Sequence, residues 1–530
     1  MGRKVNRTHP LVLTDVAITG TAAEGKALAR VDDKVLFVAF GAPGDVADIE
    51  VYRSKSSYME GRILRLKKAS DLRCTPFCTH FGLCGGCKWQ HLAYGAQLAQ
   101  KQQQVRDQLE RIGKVELPEP LPILGSPRTV AYRNKIEYTF SPSRWLDAAE
   151  MASDTAFSAA ERAGLGFHLP GKFDKVLDIR QCHLQPEPSN QIRLCLKELA
   201  LQSGLPFYHV RSGEGVWRNV ILRCNERGEF MVTVVLKTVP LERVKPVFDA
   251  LLQRFPDIVS LHYCFNDKPN DSIADLDVRL YAGRPYLLYR MPRYGAAGGG
   301  EVDLTASAEC GVTGEPLDAG MLAQTADVAS AAPVAQASDS DCLSFRIGPK
   351  SFFQTNGTQA ERLYRVVGDF AGLTGRELLY DLYTGTGTIG LYLADKARKV
   401  VGVEYVEEAV ADARLNAADN GIGHATFFAG DMAKVFTDEW IEAQGRPDVV
   451  VTDPPREGMH EKVVEQLLRI APPRIVYVSC NAATQARDLQ RMDTHYKVVK
   501  WQAVDMFPHT YHVENVVLLE RRCKANAEGK

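Results

Sequence analysis

The stretch Glu377-Leu378-Leu379-Tyr380-Asp381-Leu382-Tyr383-Thr384-Gly385-Thr386-Gly387-Thr388-Ile389-Gly390 decides the fold. An apolar run carries an acidic residue near its end, and glycines follow within a few positions. Glycine at the carboxyl end of a first strand lets the backbone approach a ligand closely. Working outward, the pattern repeats. "KVVGVEY" (399–405), "DVVVTD" (448–453) and "RIVYVSC" (474–480) read as further strands, with helical segments between them. Three of the four strand candidates are largely apolar, as in strands covered on both faces. Regular β–α alternation predicts a doubly wound, Rossmann-like α/β domain over residues 346–530.

The second strand ends in Val403-Glu404, seventeen residues beyond Gly387, where a carboxylate can accept both hydroxyls of a ribose. Dinucleotides and S-adenosylmethionine both use this layout. Gly385, Gly387 and Gly390 form a full G-x-G-x-x-G, so NAD has to be weighed. Two features favour S-adenosylmethionine. Asp381 opens the loop, and a later strand ends in Asp453-Pro454-Pro455-Arg456, a D-P-P arrangement that faces substrate in methyltransferases. Asp431 follows the presumed third strand, "ATFFAG", and is expected on the adenine side.

The strand 474–478 runs into Ser479-Cys480-Asn481, on the sheet edge where ligands bind in open α/β folds. A lone Cys at a strand end is ordinarily a small buried residue. Its place beside Asp453 raises the catalytic reading above that. C5 of uracil is a poor nucleophile, and a thiolate added at C6 turns it into an enolate carbon able to take a methyl group. The C5 proton then has to leave, which demands a base on the same face. Glu514, opening the apolar strand "ENVVLL" near the C-terminus, is the candidate; His509 and His512 are its rivals.

The remainder of the chain's 530 residues needs further domains. Residues 1–70 read as short strands with Gly turns, fitting a small OB-like β-barrel, with Arg53, Lys55, Arg62, Arg65, Lys67 and Lys68 towards its end. Residues 71–345 mix strands and helices, an α+β pattern. Twelve cysteines are many, and four fall between Cys74 and Cys87, which favours metal or cluster ligation. Gln97–Ile112 shows helical spacing of Leu98, Val105, Leu109 and Ile112. Gly295–Ser340, rich in Ala, Gly, Ser and Asp, reads as a disordered insertion. The formal net charge of −1 hides an asymmetry. Residues 297–341 hold eight acids and no Lys or Arg, leaving 64 basic against 57 acidic residues elsewhere. Such a balance permits an RNA partner. No apolar run is long enough to span a bilayer and no signal core follows the basic N-terminus, so a cytoplasmic, membrane-free protein is expected.

These motifs resemble the RNA uridine-C5 methyltransferase family, in its branch with a TRAM domain and an iron–sulfur cluster. The resemblance covers almost the whole chain apart from the insertion. "SFFQTN" resembles the segment whose Gln contacts the cofactor, here Gln354. "DLYTGTGTIG" puts Tyr383 and Thr388 at cofactor-contacting positions, with Thr384 where many members carry Cys. Glu404 matches the ribose acid, Asp431 the adenine-side position and Asp453 the acid of D-P-P-R. "VSCN" matches the nucleophile motif, with Ala482 where Pro is usual, and "FPHTYHVENVVLL" makes Glu514 the proton acceptor. The resemblance further implies Cys78, Cys84, Cys87 and Cys182 as cluster ligands. Four thiolates suit either zinc or [4Fe–4S], and the family implies [4Fe–4S]. Cys74 competes with Cys78 for the first position. The N-terminal barrel resembles TRAM, and Arg133 and Lys135 are candidate RNA contacts. The implied substrate is a uridine in 23S ribosomal RNA, and the implied state a monomer. Transfer RNA as substrate, a non-catalytic RNA-binding assembly factor and an NAD enzyme are the alternatives.

Overall fold

The computed structural model describes residues 11–153, 155–295 and 341–522. The expected disordered insertion falls almost wholly on residues 296–340, outside the described residues.

Five strands, β1 (Leu11–Thr21), β2 (Ala27–Val31), β3 (Lys34–Ala39), β4 (Val46–Ser54) and β5 (Tyr58–Lys68), close into a barrel in the order β1-β2-β3-β5-β4. Closure leaves no free edge. Alternate residues, among them Val16, Ile18, Leu36, Val38 and Ile49, fill the interior. The barrel is seated on the next segment by the Arg73–Asp45 ion pair (2.7 Å) and by Trp89 Nε1, which donates to the Gly25 carbonyl (3.0 Å).

β6 (Leu121–Leu124) is a short strand of the connecting segment, described below. The central sheet uses β7 (Lys135–Ser141), β8 (Gly164–Leu169), β9 (Lys172–Asp178), β10 (Trp217–Cys224), β11 (Phe230–Leu236), β12 (Ile258–Phe265) and β13 (Arg279–Gly283). Their order is β13-β12-β11-β10-β7-β8-β9. Every residue of β10 and β11 is buried, including the polar Arg218, Asn219 and Arg223 of β10. Helices Ser189–Gln202 and Lys245–Arg254 supply apolar residues to the same core. The hairpin β14 (Leu287–Pro292) and β15 (Cys342–Ile347) brings the chain into the last domain.

That domain holds β16 (Leu378–Leu382), β17 (Lys399–Glu404), β18 (Ala425–Ala429), β19 (Val449–Thr452), β20 (Arg474–Ser479), β21 (Tyr496–Val504) and β22 (Glu514–Arg521). The sheet order is β18-β17-β16-β19-β20-β22-β21-β6. β16 to β20 run parallel, and β22 enters antiparallel between β20 and β21. The start of β22 therefore lies at the edge where the parallel strands end. β6 pairs with β21, so the segment after the cysteine cluster extends this sheet.

One sequence expectation needs correcting here. The helix runs Tyr94–Gln108 with a wider turn at Leu109–Gly113, and its buried stripe is Gln97, Lys101, Val105 and Leu109; Ile112 is 41% exposed. Spacing by four is the helical row that faces one neighbour, but two members of the row are polar. No helix among the described residues is long and apolar enough to cross a membrane.

Candidate active site

Six of the residues singled out from the sequence stand at the ends of neighbouring strands. Asp431 follows β18, Glu404 ends β17, Asp381 lies in β16, Asp453 follows β19, Cys480 follows β20 and Glu514 opens β22. The sheet order thus lays five carboxylates and a thiol along one edge.

Loop geometry sets the cofactor end. Tyr383 (φ +63°) and Gly387 (φ +81°) turn the backbone through the left-handed region, into the short helix Thr388–Leu393. Buried Asp381 organises this turn. Its Oδ2 accepts the Thr384 hydroxyl (2.5 Å) and the Gly390 N–H (2.9 Å), while Oδ1 is buried with no hydrogen-bond partner. Thr384 is thus a suitable replacement for the Cys usual in the resembling motif, since its hydroxyl donates to the acid. A Cβ on Gly390 would meet Asp381 Oδ2 at 2.8 Å, so only glycine fits there without displacement. Glu404 accepts the N–H groups of Gly385 and Val406, each at 3.0 Å. Thr388 Oγ1 lies 3.2 Å from the buried Tyr364 hydroxyl. Asp431 caps the helix Met432–Val435 through the Ala433 N–H (3.0 Å). Gln354 is buried, and its carbonyl accepts Asn134 Nδ2 (2.8 Å), tying this segment to the central sheet.

At the other end, Cys480 and Glu514 lie one step beyond the last ladder pair of β20 and β22, Ser479 with Asn515. Cys480 is half-buried and Glu514 is 4% exposed. Burial, then the Asp453 charge, pushes the Glu514 carboxyl up, and the Arg456 guanidinium opposes this. Burial and neighbouring Asp381 raise Asp453 in the same direction. Asp381 is pushed up to about 6 by burial. The Cys480 thiol is pushed up to about 11 by burial, Glu514 and Asp453, again opposed by Arg456. Arg456 is held by its neighbours: its carbonyl accepts Asn481 Nδ2 and Thr484 Oγ1, each at 3.0 Å. The D-P-P-R loop is thereby fastened to the loop bearing Cys480. Asn481 also caps the helix Ala482–Met492 through the Ala483 N–H, so the turn is held with Ala482 in place of Pro.

The rival bases are both packed into the surrounding structure. His509 lies 7% exposed at a positive φ, its N–H donated to Gln97 Oε1 (2.8 Å) and its carbonyl accepting Lys88 and Trp89 N–H groups. His512 packs on Phe507 and Tyr511. Burial pushes both imidazoles down to about 4.

Cys78, Cys84, Cys87 and Cys182 line one cavity of about 600 Å³, together with His80, His183, Arg133 and Lys135. Burial pushes Cys84 and Cys87 up to about 11 and about 12. Among the described residues, no group of three or more His, Cys, Asp or Glu side chains is placed to hold a metal ion, so the expected ligand set is not seen assembled. Cys74 is not part of the lining; its thiol donates to the Gln90 carbonyl (3.2 Å).

Residues 334–522 match the tRNA (Uracil-5-)-methyltransferase family, and residues 14–64 match the TRAM domain. An RNA methyltransferase of Porphyromonas gingivalis is 48% identical, over 95% of this chain and 99% of that one. One of Bacteroides thetaiotaomicron is 46% identical, over 94% and 100%. The chain belongs to the RNA (uracil-5-)-methyltransferase family. It is an S-adenosylmethionine-dependent enzyme acting on uracil C5 in RNA. The solved tRNA (uracil-54, C5)-methyltransferase of Pyrococcus abyssi, in complex with S-adenosyl-L-homocysteine, matches with a TM-score of 0.65 and 27% identity, over 95% of this chain and all of that one.

Two features of this methyltransferase were not drawn from the sequence. Arg456 stands in the sequence only as the last residue of D-P-P-R, yet it is the cation that opposes the upward shift of both Cys480 and Glu514. Asp381 was read as the start of a loop, whereas it is a buried acceptor that holds the loop closed. An acidic residue inside an apolar strand is the signal that points to it.

Proposed function

We propose that this enzyme methylates C5 of a uridine in 23S ribosomal RNA through a covalent bond between Cys480 and C6. The juxtaposition of Cys480 and Glu514 across β20 and β22 carries the reading. S-adenosylmethionine, when bound, supplies a methyl group on a positively charged sulfur. Gln354, Tyr383, Thr388, Glu404, Asp431 and Asp453 hold it, and an edge crowded with carboxylates suits a cationic donor. The Cys480 thiolate adds to C6, and the electrons of the C5=C6 bond make C5 nucleophilic towards the methyl. Glu514 then takes the C5 proton, the double bond re-forms and the thiolate leaves. A carboxyl raised by burial is a stronger base than an ordinary one, which suits that task.

Cys78, Cys84, Cys87 and Cys182 would hold a [4Fe–4S] cluster. All four donors are thiols on one cavity, and iron–sulfur clusters take four Cys ligands. The cluster would order this lobe for RNA binding. Transfer RNA is the second reading, favoured by the Pyrococcus neighbour, whose substrate is tRNA. Mass spectrometry of 5-methyluridine in 23S rRNA and tRNA, with and without the gene, separates the two. A methyl group lost from 23S rRNA alone is expected; a loss confined to tRNA overturns the rRNA assignment.

A further inference from the structure

Residues 505–513 connect β21 to β22 and deliver Glu514, which faces Val504 in the ladder. Three side chains from the helix Tyr94–Gln108 grip this connection. The Tyr94 hydroxyl donates to Asp505 Oδ2 (2.8 Å). Gln97 accepts the His509 N–H through Oε1 (2.8 Å) and places Nε2 3.2 Å from His509 Nδ1. Lys101 Nζ donates to Asp505 Oδ1 (2.5 Å) and to the Phe507 carbonyl (3.0 Å). Spaced by three and four residues, they occupy one face of the helix.

The Lys101–Asp505 pair is enclosed, with side-chain exposures of 0% and 0%. Apolar residues of similar volume often stabilise a fold as well as a buried ion pair does. What an enclosed pair does supply is direction, since each charge must keep its partner in place. Here Asp505 Oδ1 also accepts the Phe507 N–H (3.0 Å), so the pair fixes the turn itself. Two further residues hold the same turn: Tyr132 of the central domain donates its hydroxyl to the Pro508 carbonyl (3.1 Å), and Asn356 of the last domain donates Nδ2 to the Met506 carbonyl (3.2 Å).

We infer that Tyr94, Gln97 and Lys101 form a positioning clamp which, through Asp505 and His509, aims the Glu514 carboxyl at the C5 proton of the bound uridine. This rests on the reading of Glu514 as the base. The clamp residues touch the turn before Glu514 and none of the other strand ends of the site, so the expected effect is on removal of the proton.

Lys101→Met and Tyr94→Phe test it, with Glu514→Gln as reference. Tyr94→Phe keeps the ring and removes one hydroxyl, so it reports even if Lys101→Met does not fold. With ordinary uridine RNA, kcat is expected to fall on the order of 10- to 100-fold for Lys101→Met, and less for Tyr94→Phe. KM for RNA and for S-adenosylmethionine should hold. The protein–RNA adduct should accumulate, and 5-deuterated uridine should give a larger isotope effect than in the wild type. With 5-fluorouridine RNA no C5 proton has to leave, so adduct formation should match the wild type. A parallel fall in 5-fluorouridine trapping, or a fall in kcat with no larger isotope effect, overturns the clamp, as does wild-type behaviour of both variants. Separately, normal turnover by Glu514→Gln overturns the base assignment itself, whatever the clamp variants do.

Discussion

Cys480 and Glu514 stand opposite each other just past the Ser479–Asn515 pair of β20 and β22, one half-buried and the other almost fully enclosed. The proposed nucleophile follows a strand of the parallel set and the proposed base opens the antiparallel strand inserted beside it. A ladder step places directly opposite residues about 5 Å apart at Cα, near enough for one uracil ring to meet both side chains.

That pairing governs the pH profile. Both groups titrate upward from their ordinary values, Cys480 to about 11. The active forms are thiolate and carboxylate, so kcat/KM should rise with pH across neutrality and into the alkaline range. Stopped-flow or steady-state rates against pH check this. A plateau already complete near pH 5, where an ordinary Glu has ionised, would contradict it.

The same groups bear on stability. Asp453 and Glu514 have carboxyls raised above their unfolded values. Their contribution is intact below the unfolded pKa and is lost as pH rises through the folded one. Asp453→Asn and Glu514→Gln should therefore stabilise the free enzyme at alkaline pH, each by a free energy on the order of 1 to 3 kcal/mol, seen as a higher melting temperature. The gain should shrink as pH falls from the alkaline range and vanish near the unfolded value of about 4. Calorimetry at the two extremes decides; a gain independent of pH sinks the assignment.

Cofactor binding should depend on the Asp381 turn. Gly390→Ala drives a methyl group against Asp381 Oδ2, and Glu404→Gln removes a charged acceptor. Each should weaken S-adenosylmethionine by roughly 10- to 100-fold, the worth of a charged hydrogen bond. RNA affinity should be unchanged. Titration calorimetry with S-adenosylhomocysteine reads the effect.

For the thiol cavity, protein purified without oxygen should carry iron and sulfide, with visible absorption. Replacing Cys84, Cys87 or Cys182 by Ala should abolish both, whereas Cys74→Ala should keep them, because Cys74 lies off the cavity lining. Zinc instead of iron, or loss of iron in Cys74→Ala, would contradict the proposed ligand set.

Much of the architecture was legible because it rests on local signals. Apolar runs ending in glycine or acid located β16, β17 and β19, the run into Ser479-Cys480 located β20, and their common edge followed from the parallel order. Alternating short strands located the barrel. The helix at Tyr94–Gln108 was legible as a helix but its inward face was not. Gln97 and Lys101 read as surface residues, since burying them is costly without partners, and those partners, Asp505 and His509, lie some four hundred residues later. Glu514 is legible as the candidate base from its place at the start of an apolar strand and from the family resemblance, whereas the burial of the two rival imidazoles shows only in the tertiary structure. The position of β6 within the last sheet depends on a pairing with β21 that carries no local mark.

The central claim is that Cys480 bonds to the uracil while it is methylated. The direct measurement is mass spectrometry of the nuclease-digested complex formed with S-adenosylmethionine and 5-fluorouridine RNA. The account predicts a methylated fluorouridine attached to the peptide containing Cys480, absent in Cys480→Ala. An adduct on another residue, or undiminished methylation of ordinary uridine RNA by Cys480→Ala, would contradict it.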